Sequence, residues 1–111
     1  MRRQRVNSDG KRKELERLIE AAVVDCYTED EQHEAFAVML DDHLPGPFRA
    51  RIMGEEVEVL KFEREGSGSV LAVCRHRGRR YRMNATAIEW IGVPPAGSRW
   101  LDAYRVWLKG I

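Results

Sequence analysis

Apolar positions recur at helical spacing at both ends of the chain and alternate in the middle. Leu15, Leu18, Ile19, Ala22 and Cys26 fall three or four residues apart, the spacing that lines one helical face, and predict a helix over 12–26. Asp25 lies at the flank of that stripe. The next stretch, "YTEDEQHEAFAVMLDDHL", has Thr28 as a good N-cap, and Glu31 three residues on completes a capping box. Phe36, Met39, Leu40, His43 and Leu44 supply its apolar face, and Pro45-Gly46-Pro47 stops it. The first half therefore reads as an αα-hairpin.

After Pro47 the period changes to two. Phe48, Ala50 and Ile52 alternate with Arg49 and Arg51. Residues 56–63 alternate as well, but Leu60 and Phe62 are out of step with Val57 and Val59, which predicts a bulge or sharp bend. The flexible connection 65–69 leads into a central strand at 70–76, a tight turn at Arg77-Gly78 and a returning strand at 79–84. Residues 85–88 suit a single helical turn and 89–92 a last short strand. After the loop "VPPAGS", Ser98 is expected to cap a final helix with Leu101, Tyr104, Trp107 and Leu108 on one face. The predicted class is α+β: an N-terminal helical hairpin, a small SH3-like β-barrel of about five strands, which closes its own edges, and a C-terminal helix. With 111 residues the chain makes one domain, expected over 12–111, behind a basic flexible tail at 1–11.

Composition narrows the function classes. Hydrophobic residues make up 43% and charged residues 33%, an ordinary globular balance. No apolar run is long enough to span a membrane or serve as the core of a secretory signal, so a cytoplasmic location is expected. Cys26 and Cys74 each sit in an apolar pattern, where a free thiol behaves as a small hydrophobe. No zinc spacing exists, since a Cys-x-x-Cys pair is missing and His33, His43 and His76 are scattered. There is no glycine-rich phosphate loop and no Ser/His/Asp arrangement, so an enzyme is not expected.

Charge changes the picture more. Residues 1–17 hold seven Lys/Arg against three Asp/Glu, and residues 49–111 hold twelve against seven. Between them, residues 18–48 hold eight carboxylates and no Lys or Arg. Segregation of this kind implies a partner of opposite sign, or attraction between the two parts of the chain.

Two groups of residues are candidates for chemistry. Asp41 and Asp42 end the second helix, where the dipole opposes carboxylates. A calcium ion, which takes about six to eight oxygens, would relieve that conflict by using these carboxylates with unpaired carbonyls of the helix end. Adjacent helical residues point about 100° apart, so further ligands would come from Asp25 or from Glu29, Asp30 and Glu31. The competing reading is structural: N-terminal capping explains Glu29, Asp30 and Glu31, and the acidic face is either solvated or set against the basic strands. The sequence lacks an EF-hand loop. The second group is "RHRGRRYR", with Arg75, Arg77, Arg79, Arg80 and Arg82 around a hairpin turn. It suits RNA or a protein partner, including one the chain would inhibit by docking, or else it is a solvated hairpin with Tyr81 and Met83 in the core. The tryptophans Trp90, Trp100 and Trp107 are expected to pack between barrel and terminal helix.

The order "VVDCY" at 23–27, "TEDE" at 28–31, "LDDHLPGPFRA" at 40–50, "VEV" at 57–59 and "WLDAYRVWL" at 100–108 resembles the small CcbP-type calcium-binding proteins of bacteria. The resemblance covers roughly residues 20–108. It implies a cytoplasmic, non-enzymatic calcium binder, a buffer or a sensor, built as two helices, a small barrel and a last helix. The positions matching the family's acidic motifs are Asp25, Glu29, Asp30, Glu31, Asp41, Asp42 and Asp102. His43 stands where the family has an asparagine-like position, and the terminal helix carries Arg105 where more acid is expected.

Overall fold

The structure, a computed structural model, describes residues 2–110, with side chains from residue 10 onward. Helix α1 spans Arg2–Val23 and α2 spans Glu29–His43. Four strands follow, β1 Phe48–Ile52, β2 Glu55–Glu63, β3 Leu71–His76 and β4 Arg79–Asn84, then a 3₁₀ turn at Ala85–Ala87 and α3 at Ser98–Leu108. The α+β class is as expected. The helix expected over 12–26 starts at Arg2, so the backbone of the expected tail continues it, and it ends at Val23 ahead of a turn at Val24 and Asp25.

Helix α2 begins as its sequence requires. The Thr28 side chain accepts the Glu31 amide at 3.1 Å, and Glu29, Asp30 and Glu31 crowd the positive end of the dipole. Phe36 and Leu40 are completely buried beneath it. The helix stops at His43, and the closing amide of Leu44 bonds the Leu40 carbonyl.

The strands form an antiparallel meander in the order β1-β2-β3-β4. Among the described residues this is an open sheet, and the expected five-stranded barrel is not formed. Where a fifth strand was expected at 89–92, only Glu89 pairs, exchanging both backbone hydrogen bonds with Arg51 at 2.8 Å. Gly92 and the Pro94-Pro95 pair end the pairing there, since proline cannot donate to a ladder. The bulge is where the broken alternation put it. Val59 pairs with Cys74 and Lys61 with Val73, leaving Leu60 as the extra residue.

That bulge positions α2. Strand β1 pairs with β2 only as far as Phe48 opposite Val59, so the rest of β2 has no partner on that side. The end of α2 and the Pro45-Gly46-Pro47 loop cover it. A Cβ on Gly46 would lie 2.0 Å from the Leu60 carbonyl oxygen, so the loop can sit this close only with glycine there. Helix α3 closes the core with Leu101, Ala103 and Tyr104, all fully buried. Ser98 is its first residue and Gly97 the cap, correcting the expected serine cap; Leu108 is exposed and Trp107 half-buried.

Candidate functional site

The two aspartates at the end of α2 have different roles. Asp41 turns back onto the sheet, and its Oδ1 accepts the backbone N–H of Phe62 at 3.0 Å, 21 residues away. That amide lies just past the bulge, beyond the reach of β1, and Phe62 is buried. Asp41 thus supplies the acceptor a neighbouring strand would have supplied. This is one answer to why a carboxylate tolerates the helix C-terminus, and it leaves Oδ2 outside that bond. Asp42 is exposed and makes no hydrogen bond or ion pair among the described residues.

The other expected calcium ligands are spread along the same acidic face. Asp25 is exposed in the turn after α1. Glu29 faces Nε2 of His33 at 3.9 Å, one turn along α2. Glu31 reaches back to the Thr28 hydroxyl at 3.4 Å. Asp30 is taken by Arg64, whose side chain, only 4% exposed, donates to Asp30 Oδ1, to the Asp30 carbonyl at 2.9 Å and to the Gly68 carbonyl at 2.6 Å. The Arg64 guanidinium holds the Asp30 carboxyl below the usual carboxylate range. Asp102, on α3, is exposed with Arg105 at 3.6 Å.

Among the described residues, no three His, Cys, Asp or Glu side chains converge to hold a metal ion. The six expected ligands are therefore not drawn into one cage. At the helix end the Leu40 carbonyl accepts the Leu44 amide, and the His43 carbonyl is covered by Gly97. In donor chemistry the face still suits a hard cation, because Asp25, Asp42 and the second oxygen of Asp41 are carboxylate oxygens with no base beside them in sequence.

The basic hairpin is partly neutralised. Arg75 pairs with Glu58 across the sheet, and Arg82 with Glu63 at 2.8 Å and Glu65 at 3.6 Å. Arg82 lowers the Glu63 carboxyl below its ordinary range. Arg77, Arg79 and Arg80 have no carboxylate partner among the described residues. Tyr81 is 46% exposed and so does not fill the core as the alternation allowed.

A buried polar cluster escaped the sequence reading. The Tyr104 hydroxyl accepts the Val70 amide at 2.9 Å and lies 2.9 Å from Nδ1 of His33. In the Nε2–H tautomer of neutral His33, Nδ1 accepts the hydroxyl's own proton while Val70 donates to the oxygen. Burial, then the Arg64 charge, push the His33 pKa down, and burial pushes the Tyr104 hydroxyl up. His33 precedes Phe36 by one helical turn on the apolar face of α2, a spacing that carries the signal for its burial.

The geometry defines a small α+β protein with an acid-rich helical hairpin laid over one edge of an open sheet. A family model described as calcium binding, that of CcbP, matches residues 16–108, and the chain belongs to this family. Two solved structures share the fold. The crystal structure of Anabaena CcbP has a TM-score of 0.75 at 22% identity, covering 86% of this chain and 89% of the other. A calcium binding protein in its calcium-binding form has a TM-score of 0.70 at 21% identity, covering 87% and 90%. Among curated proteins nothing matches the chain. No helix among the described residues is long and apolar enough to cross a membrane.

Proposed function

We propose that this protein binds calcium weakly and reversibly, as a buffer, through exposed carboxylates of its acidic hairpin with water completing the shell. The observation that carries the reading is the base-free acidic segment 18–48, in a chain whose family is described as calcium binding. Asp42 and the second oxygen of Asp41 are the leading ligands, with Asp25, Glu29 and Glu31 as further donors on the same hairpin. Asp30 contributes less, because Arg64 competes for it. A buffer is favoured over a sensor because the ligands are dispersed over a fully packed helix. A sensor needs ion binding to bias a two-state element, and Phe36 and Leu40 beneath α2 leave no slack. Dispersed, hydrated ligands imply a dissociation constant on the order of 10⁻⁴–10⁻³ M.

Thermal melts with calcium, and with magnesium as control, test this. Calcium at about a hundred times its dissociation constant should stabilise the fold by about 2.7 kcal/mol, a shift of several degrees, and magnesium by much less. The double variant Asp41→Asn/Asp42→Asn should lose most of that shift while keeping its stability without calcium, because the asparagine oxygen at 41 still accepts the Phe62 amide. Asp41→Ala orphans that amide and should cost about 1–3 kcal/mol with or without calcium. A calcium shift no larger than magnesium's, or one unchanged in the double asparagine variant, would overturn the reading.

A further inference from the structure

We propose that the free edge of β4 and the groove beside it form a docking surface for an extended, acidic segment of a partner protein, added to the sheet as a fifth strand. The first observation is the edge itself. Among the described residues strand β4 pairs only with β3, and five of its six residues are exposed. Its register starts with His76 opposite Arg79, across a two-residue turn in which Arg77 and Gly78 have φ of 51° and 77°. In a hairpin closed this way the first pair exchanges both backbone bonds, and alternate pairs do the same. Arg79, Tyr81 and Met83 are therefore bonded to β3. Arg80 and Arg82 turn their backbone N–H and C=O outward, to where a further strand would lie.

The second observation is a groove on the face that Tyr81 and Met83 share. It has a volume of about 180 Å³; Ile52, Met53, Val57, Cys74, Tyr81 and Met83 make its surface almost wholly apolar, and Glu55 and His76, 3.5 Å apart, complete the lining. Met53, at the tip of the β1–β2 hairpin, is 83% exposed. A strand laid along β4 directs alternate side chains toward this groove, which suits apolar residues at every second position.

The third observation is charge. Arg77, Arg79 and Arg80 border the edge without carboxylate partners among the described residues, while the flanking Arg75 and Arg82 are already paired. Alternation puts Arg80 on the face opposite Tyr81 and Met83, so the incoming strand carries acid at the positions that turn away from the groove, and further acid at the end that meets Arg77 and Arg79. A second copy of β4 does not meet this need, because it would set arginine against arginine. RNA is a poorer match: phosphates gain nothing from the outward carbonyls, and the groove lining includes the Glu55 carboxylate, which repels them. The docking surface lies on the sheet edge away from the acidic hairpin, so it stands or falls independently of calcium.

Fluorescence anisotropy tests the proposal with a labelled short peptide that alternates Glu and Val, against its Lys/Val counterpart and an oligouridine RNA. The acidic peptide should bind in preference to both. The triple variant Arg77→Ala/Arg79→Ala/Arg80→Ala should weaken it about tenfold, and Tyr81→Asp should weaken it by a similar factor through the groove. Hydrogen exchange on the unaltered protein is the readout that charge attraction alone would not move: the Arg80 and Arg82 amides should become protected when peptide is present. Equal binding of the Lys/Val peptide, preference for the RNA, no detectable peptide binding, or binding that leaves these amides unprotected would each overturn it.

Discussion

Gly97→Ala is expected to destabilise the fold by about 3 kcal/mol or more and to lower Tm by more than about 10 °C. A Cβ on Gly97 would stand 1.9 Å from the His43 carbonyl oxygen and 2.7 Å from its carbon. Both are backbone atoms, so no rotamer change relieves the overlap. Backbone strain is not the cause, since Gly97 has φ −69° and ψ −7°, which alanine adopts freely. The obstacle is the close approach of the end of α2 to the start of α3. Relief means parting the two helices, and the junction is held by the stacked rings of His43 and Trp100, 4.8 Å apart, with Leu40, Leu44 and Leu101 buried in the same core. The control is the same substitution in α1. A Cβ on Gly10 meets nothing within 4 Å, so Gly10→Ala should stabilise by up to about 1 kcal/mol, as glycine to alanine does in an open helix. Paired thermal melts check both signs. A Gly97→Ala protein melting within a degree or two of the parent would refute the packing argument.

What the chain discloses in advance follows local rules, and what it hides depends on distant partners. Thr28, the broken alternation at Leu60, the Arg77-Gly78 turn and the helical turn at Ala85–Ala87 are all determined by neighbours within a few residues, and each lies where the pattern put it. The five-stranded barrel failed for a different reason. Closure depends on how far the last segment can pair, and glycine and two prolines cut "EWIG" down to the single bridge at Glu89. The start of α1 lies ahead of the expected residue 12 because Arg2 to Lys11 has no apolar stripe for a periodicity to reveal. The site shows the same divide. An acidic hairpin is legible from composition, and the family resemblance from short motifs. That Asp41 serves a sheet amide, or that Arg64 ties up Asp30 from 34 residues away, is set by the packing of α2 on β2 and the following loop, which no local spacing encodes.

Tyr104→Phe should cost about 2–3 kcal/mol, although it removes one oxygen atom and leaves the ring in place. The hydroxyl is the shared partner of two buried groups. Val70 is fully buried and donates its amide to it, and His33, also buried, shares a hydrogen bond with it through Nδ1. Phenylalanine orphans both at once. The ring itself keeps its contacts with Phe36, at 5.2 Å, and Trp107, at 5.9 Å, so the loss reports the hydrogen bonds rather than a cavity. The same cluster sets a pH dependence. His33 has a folded pKa below its ordinary 6.5, from burial first and Arg64 second, with Glu29 and Asp30 opposing. The unfolded chain therefore binds the proton more readily, and the His33 contribution is complete above about pH 6.5 and lost as pH falls below it. Asp30 and Glu63, whose carboxyls are also lowered, add a loss only below their ordinary values of 3.8 and 4.5. Between about pH 6.5 and 5 the decline contributed by His33 should disappear in His33→Gln, whose amide oxygen still accepts the Tyr104 hydroxyl but does not titrate. Denaturant titrations across that window distinguish the two proteins. A parent whose stability rises on acidification from pH 6.5, or a His33→Gln protein that declines as steeply as the parent, would show that the cluster does not hold His33 neutral.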